Sequence, residues 1–463
     1  MSLEGAIAAH RFGLGARPGE IEAASPAPEE WLLRQLDSPV AQPQPTDGGD
    51  TFASGGALVA ELLAYRKERQ MEKQQAAANP NSANAANVDP VKMFMKTRVP
   101  QFVREMSARF ALGFATPAPF AERLVWFWSN HFAVSSSNPE TVTLLGSFER
   151  EVIRPNIAGK FEDMVLASTH HPAMQLYLNN ATSIGPHSVA GARTGRGLNE
   201  NLGRELMELH TLGVDGGYTQ ADVIAMAKLL TGWSIDREGD NGFRYYPARH
   251  EPGDIVLRGK SYSGGEDAGV AAIRDLARDP ATARHIAGKF AAYFIADDPP
   301  AESVARLEKT FNQTGGDLKA LTETLVGDPR AWQPHQAKMR SPVEYTTAAM
   351  RMLAWPQGGD RDKQVKGVMA ATRMMGEFPL SAPSPKGWPD QSSAWSGPDA
   401  LLNRIEWAKE LGNRMPQSID AMAVAETGLG PLLSSGTRSA MRGSSTPKEA
   451  VALLVASPEF QRR

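Results

Sequence analysis

Residues 198–233 read LNENLGRELMELHTLGVDGGYTQADVIAMAKLLTGW, a helix, a glycine turn and a second helix, and no other stretch constrains the fold as strongly. Two amphipathic helices joined by a short turn can bury their apolar faces only against further layers of structure. At about 100° per residue, Leu198, Leu202, Leu206 and Leu209 fall on one stripe, the expected buried face. Asn201, Glu205 and Glu208 line one edge of that stripe, while Gly203, Met207 and His210 lie toward the other. Glu205 and Glu208 are therefore neighbours, and His210 points away from Glu205. The first helix ends at Gly213, Gly216 and Gly217 supply the turn, and Thr219 followed by Asp222 matches a capping pattern for the second.

Helical periods recur at 28–36, 57–75, 91–114, 117–132, 140–153 and 160–169, with an interruption expected at Pro100. Beyond the central string they resume at 266–278, 280–295, 301–313, 317–326, 342–354, 361–375, 400–415 and 448–456. The convincing strands are 243–246 and 255–257, expected as one hairpin with His250 in its loop. The fold class is mainly α: one large multi-helix body over residues 1–463, with long ordered loops and at most a small β-hairpin near 243–257. Within it, 76–90 (AAANPNSANAANVDP) lacks large apolar residues and is expected to be a mobile linker.

With 463 residues, 41% hydrophobic and 22% charged, the chain can bury a large core, which excludes wholesale disorder. A formal net charge of -3 removes any general electrostatic case for nucleic acid or an anionic membrane. There is no cysteine, so disulfides, thiolate metal sites and cysteine nucleophiles are excluded, and any metal must be held by His, Asp, Glu or Asn. No window reaches the roughly 18 apolar residues of a membrane span, and the N-terminus shows no basic segment before a long apolar run. A soluble chain without a visible export signal, favouring the cytoplasm, is the expectation. G-x-S-x-G, Walker A and dinucleotide fingerprints are likewise missing.

The expected site lies between the helices near 120–132 and 198–232. Glu205, beside a leucine stripe, needs a partner if buried and is a candidate metal ligand or general acid/base. His131, at the end of the aromatic run WFWSNHF, is the second ligand or base, with Glu208 and Asp222 as further catalytic candidates. His131, Glu205 and His210 form the candidate set for a divalent metal, although no spacing has the strength of a metal motif. Asn130, Asn201, Arg193, Arg196 and Trp388 are candidate substrate-binding residues: the two arginines suit a phosphate, sulfate or carboxylate, and Trp388 and Trp395 suit a sugar ring. The alternatives are structural. Glu200–Arg204 and Arg204–Glu208 would form a solvated ion-pair ladder, Asp222 a helix cap, Arg193 and Arg196 solvated loop charges, and the tryptophans packed loop anchors.

Seven segments carry a family resemblance: HRFGLGARPGE at 10–20, WFWSNHF at 126–132, HPAM at 171–174, the string at 199–233, the loop at His250, RSPVEY at 340–345 and KGWPD at 386–390. By these the chain resembles, over nearly its whole length, the bacterial family called domain of unknown function 1800. The first segment departs slightly, having His10 where asparagine is expected, so His10 takes no role from the resemblance. The resemblance implies a large, mostly helical bacterial protein without an established activity, often exported and often encoded beside a family that looks like sulfatase or alkaline-phosphatase relatives.

Two functions fit these residues. One is an enzyme with a carboxylate/histidine pocket, with or without a metal, acting by hydrolysis or oxidation on an envelope or glycan-like substrate. The other is a non-catalytic binding or assembly protein, whose polar helix is a buried structural network and whose protein partner binds a surface loop.

Overall fold

The computed structural model describes residues 1–78, 90–136, 139–236, 238, 240–355 and 359–463. Among these lie 23 α-helices and two small antiparallel two-stranded sheets, so the fold is mainly α. Many helices begin with a short polar residue followed by proline. Asp279, Ser341, Thr446 and Ser457 each accept a backbone N–H two or three residues on, while the proline occupies the first helical position, where no N–H is needed. No helix among the described residues is long and apolar enough to cross a membrane.

The helix Pro119–His131 lies at the centre, buried at every position except Asn130. Its Phe120, Leu124, Phe127 and Trp128 join a core that runs from Phe12 through Phe290 and Tyr345 to Phe460. A helix apolar on all sides belongs in the interior, and this one carries charge inside with it. Arg154 bonds both Glu122 oxygens at 2.8 Å and Glu149 at 2.7 Å, and Glu149 also accepts from Arg109 Nε (2.6 Å) and Ser129 (3.0 Å). On the other flank, Arg123 donates to the Gly13 carbonyl (2.6 Å) and to Glu344 (2.5 Å).

The central string departs from a regular helix. An α-helix over Asn201–Glu205 widens into a π-helix over Leu206–His210, where the Thr211 hydroxyl donates to the Leu206 carbonyl (2.7 Å). The wider turn rotates the buried face: Leu202, Gly203, Leu206, Met207 and His210 are buried, whereas Leu198 and Leu209 are half-exposed. Gly203 allows the close approach of Gln220–Leu229, since a Cβ there would lie 2.8 Å from the Ala227 nitrogen.

The expected single hairpin over 243–257 is corrected to two separate pairings. Phe243–Tyr245 pairs with Trp233–Ile235, and Ile255–Leu257 pairs with Lys260–Tyr262. The second pair turns through Arg258 and Gly259, both at positive φ (48° and 79°), the geometry that matches the twist of two-residue hairpins. Between the two pairs, Pro247–Arg249 forms a 3-10 turn that removes the chain from pairing. The helix Pro90–Ala115 runs unbroken through Pro100, which is exposed. The helices Val189–Thr194, Ala421–Leu429 and Ser435–Arg442 are among those that arise where no period was expected. Most of the expected mobile segment 76–90 lies outside the described residues; 76–78 complete the helix Gly55–Ala78.

Arg154 holds two buried carboxylates, so its loss leaves both without a cation. Arg154→Met is expected to lower the unfolding free energy by about 3–5 kcal/mol in urea denaturation. A loss below about 1 kcal/mol would show that the network contributes little.

Candidate functional site

The carboxylates of the central string sit at the protein's margin. Glu205 and Glu208 are both half-buried. Burial and the charge of Glu208 raise the Glu205 pKa, against the pull of Arg204. Burial and Glu205 push the Tyr177 hydroxyl up to about 12, and burial and Glu208 raise that of Tyr218. Arg204 pairs with Glu200 (3.0 Å) and with Gln220 (2.9 Å), so the half of the expected ladder that needed Arg204 and Glu208 is replaced by a Gln220 bridge. Asp222 caps its helix: it accepts from the Thr219 backbone (2.8 Å) and from Arg258 N (2.8 Å). Asn201 is exposed at the start of its helix. Arg193 lies in the last turn of the helix Val189–Thr194 and Arg196 just beyond it, both exposed.

His131 and His210 meet each other on the opposite, buried face of the string. The His210 carbonyl lies 3.1 Å from His131 Nε2, and the two rings are 6.3 Å apart. The Lys289 amine contacts His131 Nδ1 at 3.1 Å, and the His285 ring lies 6.2 Å from that of His131. Burial comes first among the causes that lower all four pKa values; repulsion by Lys289 adds to it for the three histidines, and repulsion by Lys386 for Lys289. His210 falls to about 3, His285 to about 4 and Lys289 to about 8. The proposed metal set of His131, Glu205 and His210 is not assembled: among the described residues no three His, Asp or Glu side chains converge closely enough to hold an ion. The physical reason is the phase of the helix, which sends Glu205 to the margin and His210 into the core.

One residue before His131, Asn130 faces a different space. A cavity of about 80 Å³ is walled by Trp126, Trp388 and Trp395, with Ser129, Asn130 and Asp390 among its polar groups. Asn130 clamps the Trp388 backbone in both directions, donating to its carbonyl (2.9 Å) and accepting from its N–H (2.8 Å). Gly387 makes room for this, since a Cβ there would lie 2.5 Å from the Asn130 carbonyl oxygen. The indole N–H groups of Trp388 and Trp395 donate to the Phe378 and Pro389 carbonyls (2.9 Å each), which fixes both rings.

Of the three carboxyl groups that line this cavity, Glu344, Glu377 and Asp390, the first two lie in opposite environments. Burial pushes Glu344 up, but the guanidiniums of Arg123 (2.5 Å) and Arg463 (3.0 Å) outweigh this and hold it far below the usual carboxylate range. Glu377 has no such partner. Burial, aided by the charge of Glu344, pushes it up to about 7, against hydrogen bonds from Val343 N (2.8 Å) and Ser341 and the charge of Arg109. A carboxyl near 7 can give and take protons at neutral pH, while its neighbour stays an anion.

Three of the segments quoted for the family resemblance converge here: WFWSNHF supplies Trp126, Ser129 and Asn130, RSPVEY supplies Ser341, Val343 and Glu344, and KGWPD supplies Trp388, Pro389 and Asp390. Sequence reasoning named Asn130 and Trp388 and missed Glu344, Glu377, Arg109 and Arg463. Glu344 had a readable signal, because Ser341-Pro342-Val343-Glu344 is a capping box, and both of its bonds form. Glu377 follows a helix end without any periodic or motif signal.

The histidine cluster sets a pH dependence. His285 titrates at about 4 in the folded chain and near 6.5 when unfolded, so the unfolded state binds the extra proton between those values and stability falls as pH drops through them. His285→Gln is expected to narrow the stability lost between pH 6.5 and 4, read by urea denaturation across that range. A stability difference between wild type and variant that does not change with pH would remove the cluster from this role.

No curated protein and no solved structure matches the chain. A family model described as a protein of unknown function (DUF1800) matches residues 7–462. The segments at 126–132, 340–345 and 386–390, which meet at the cavity, all lie within that match, and the chain belongs to the DUF1800 family.

Proposed function

We propose that this protein is an enzyme that works by general acid–base catalysis in the cavity beside Trp388, with Glu377 as the proton carrier and Glu344 as the fixed anion. The observation that carries this reading is the pair of carboxyls driven apart in one cavity. At neutral pH Glu377 is present in both forms, so it can protonate a leaving oxygen or take a proton from an attacking water. Glu344, clamped by two arginines, keeps its charge and its position. The faces of Trp126, Trp388 and Trp395 suit a ring such as a sugar, which favours a glycan-like substrate.

The string 198–233 fits the structural alternative better. Its Asp222 cap, Glu200–Arg204–Gln220 bridge and buried Gly203 serve packing. Glu205 and His131 therefore support the fold around the site in this reading and do not share in the chemistry.

The test is a turnover screen with small glycosides and esters, followed by Glu377→Gln. Activity is expected to show a pH limb near 7 and to fall by about 10²–10⁴-fold in the variant, with an unchanged Tm. Turnover that survives Glu377→Gln would sink the assignment, and ligand binding without turnover by wild type would favour the binding-protein reading.

A further inference from the structure

The walls of the cavity hold two guanidiniums, Arg109 and Arg463, beside the carboxyls Glu344, Glu377 and Asp390. Arg109, 5% exposed, uses only Nε on Glu149 (2.6 Å), and its plane lies over the Trp126 ring (5.0 Å). Its two terminal nitrogens make no hydrogen bond among the described residues. Arg463, 2% exposed, gives Nε to Glu344 (3.0 Å) and one terminal nitrogen to the Tyr293 carbonyl (2.9 Å), leaving the other. Both arginines line the cavity.

Behind them lie further guanidiniums. Arg123 shares Glu344 with Arg463. Arg340 and Arg404 are fully buried and bond neutral groups only, the His10 ring (2.8 Å) and the Arg340 carbonyl (2.7 Å); their Nε and Nη1 atoms have no partner. Arg123, Arg340 and Arg404 thus stand behind the cavity wall, within electrostatic reach of Glu344. Uncompensated buried charge costs several kcal/mol per ion, and an anion entering this space offsets it in a low dielectric.

We infer that the cavity takes a small substrate bearing one oxyanion group, seated between Arg109 and Arg463, with its body against the tryptophan faces. This inference rests on the cavity being the functional site, and it adds the chemical class of what binds there.

Binding is coupled to a proton. Glu377 is faced by Glu344 and Ser341 from the helix Pro342–Met352, by Arg109 from Pro90–Ala115 and by Arg404 from Pro398–Arg414. Tyr293, Arg463 and Asp390 complete the charged or titratable lining, and Arg373 lies over the adjacent Phe378 ring. An added anion disfavours the ionised form of Glu377, so the complex takes up a proton and affinity falls as pH rises through 7.

Calorimetry and tryptophan fluorescence on the full chain test this with three probe pairs: glucuronate against glucose, benzoate against benzyl alcohol, and inorganic phosphate against chloride at equal ionic strength. At least one anion is expected to bind about tenfold more tightly than its counterpart, with weaker binding at pH 8 than at pH 6. A preference for glucuronate or benzoate identifies a carboxylate, and a preference for phosphate a phosphate ester. Arg109→Gln and Arg463→Gln are each expected to lower that affinity about tenfold or more. Should either variant not fold, Glu377→Gln serves instead: it should retain anion binding and lose its pH dependence. Equal binding of anion and counterpart in all three pairs, or an unchanged preference in both arginine variants, overturns the inference. That failure is separate from failure of the acid–base reading, which falls if Glu377→Gln keeps its turnover.

Discussion

The structure depends on how charge is buried beside the helix Pro119–His131. That helix has no solvent-facing side, yet Glu122 and Arg123 lie in it consecutively and therefore point about 100° apart. Each must find a counter-charge inside the protein, because an isolated buried ion is too costly to keep. Glu122 finds Arg154, and Arg123 finds Glu344, 221 residues away. From these contacts the network reaches Glu149, Arg109 and Arg463, so segments from the whole length of the chain are tied to one helix. Buried ion pairs of this kind are weak contributors to net stability, but they discriminate strongly against any arrangement that separates the partners.

The same helix separates two polar centres at its C-terminal end. Asn130 turns to the Trp388 loop and the cavity, while His131 turns to His210, His285 and Lys289. Only the first centre contains carboxyls, and only there do two of them differ sharply in their affinity for protons. The second is a set of three histidines kept neutral by burial and by the charge of Lys289 beside them. Proximity in sequence therefore does not make Asn130 and His131 parts of one site.

The central string shows what patterning can and cannot reveal. Its helix–turn–helix form, its Thr219–Asp222 cap and the separation of Glu205 from His210 follow from residue type and spacing, and the structure bears out the mainly α class that such periods imply. The π-helix at Leu206–His210, where the Thr211 hydroxyl bonds the Leu206 carbonyl, had no signal in the residue pattern. The first sheet had a local signal that the broader reading passed over: the Asn241-Gly242 dipeptide, whose two residues take positive φ at the end of the loop that leads into the strand Phe243–Tyr245.

At the cavity the division has a clear physical cause. Local chemistry, which acts over three or four residues, marked Asn130 beside an aromatic run, Trp388 in a proline-rich loop and a Ser341–Glu344 cap. Burial and partner identity are sums over neighbours brought from far along the chain. Glu344 became an anion held by Arg123 and Arg463, and Glu377 a buried carboxyl without a salt bridge, only when the helices closed around them. The sequence by itself determined a helical protein with a dense polar string and aromatic loops. Tertiary structure decided which carboxylates are buried, which are paired and which share a cavity, because solvation and Coulomb energy depend on distance in space and not on distance along the chain.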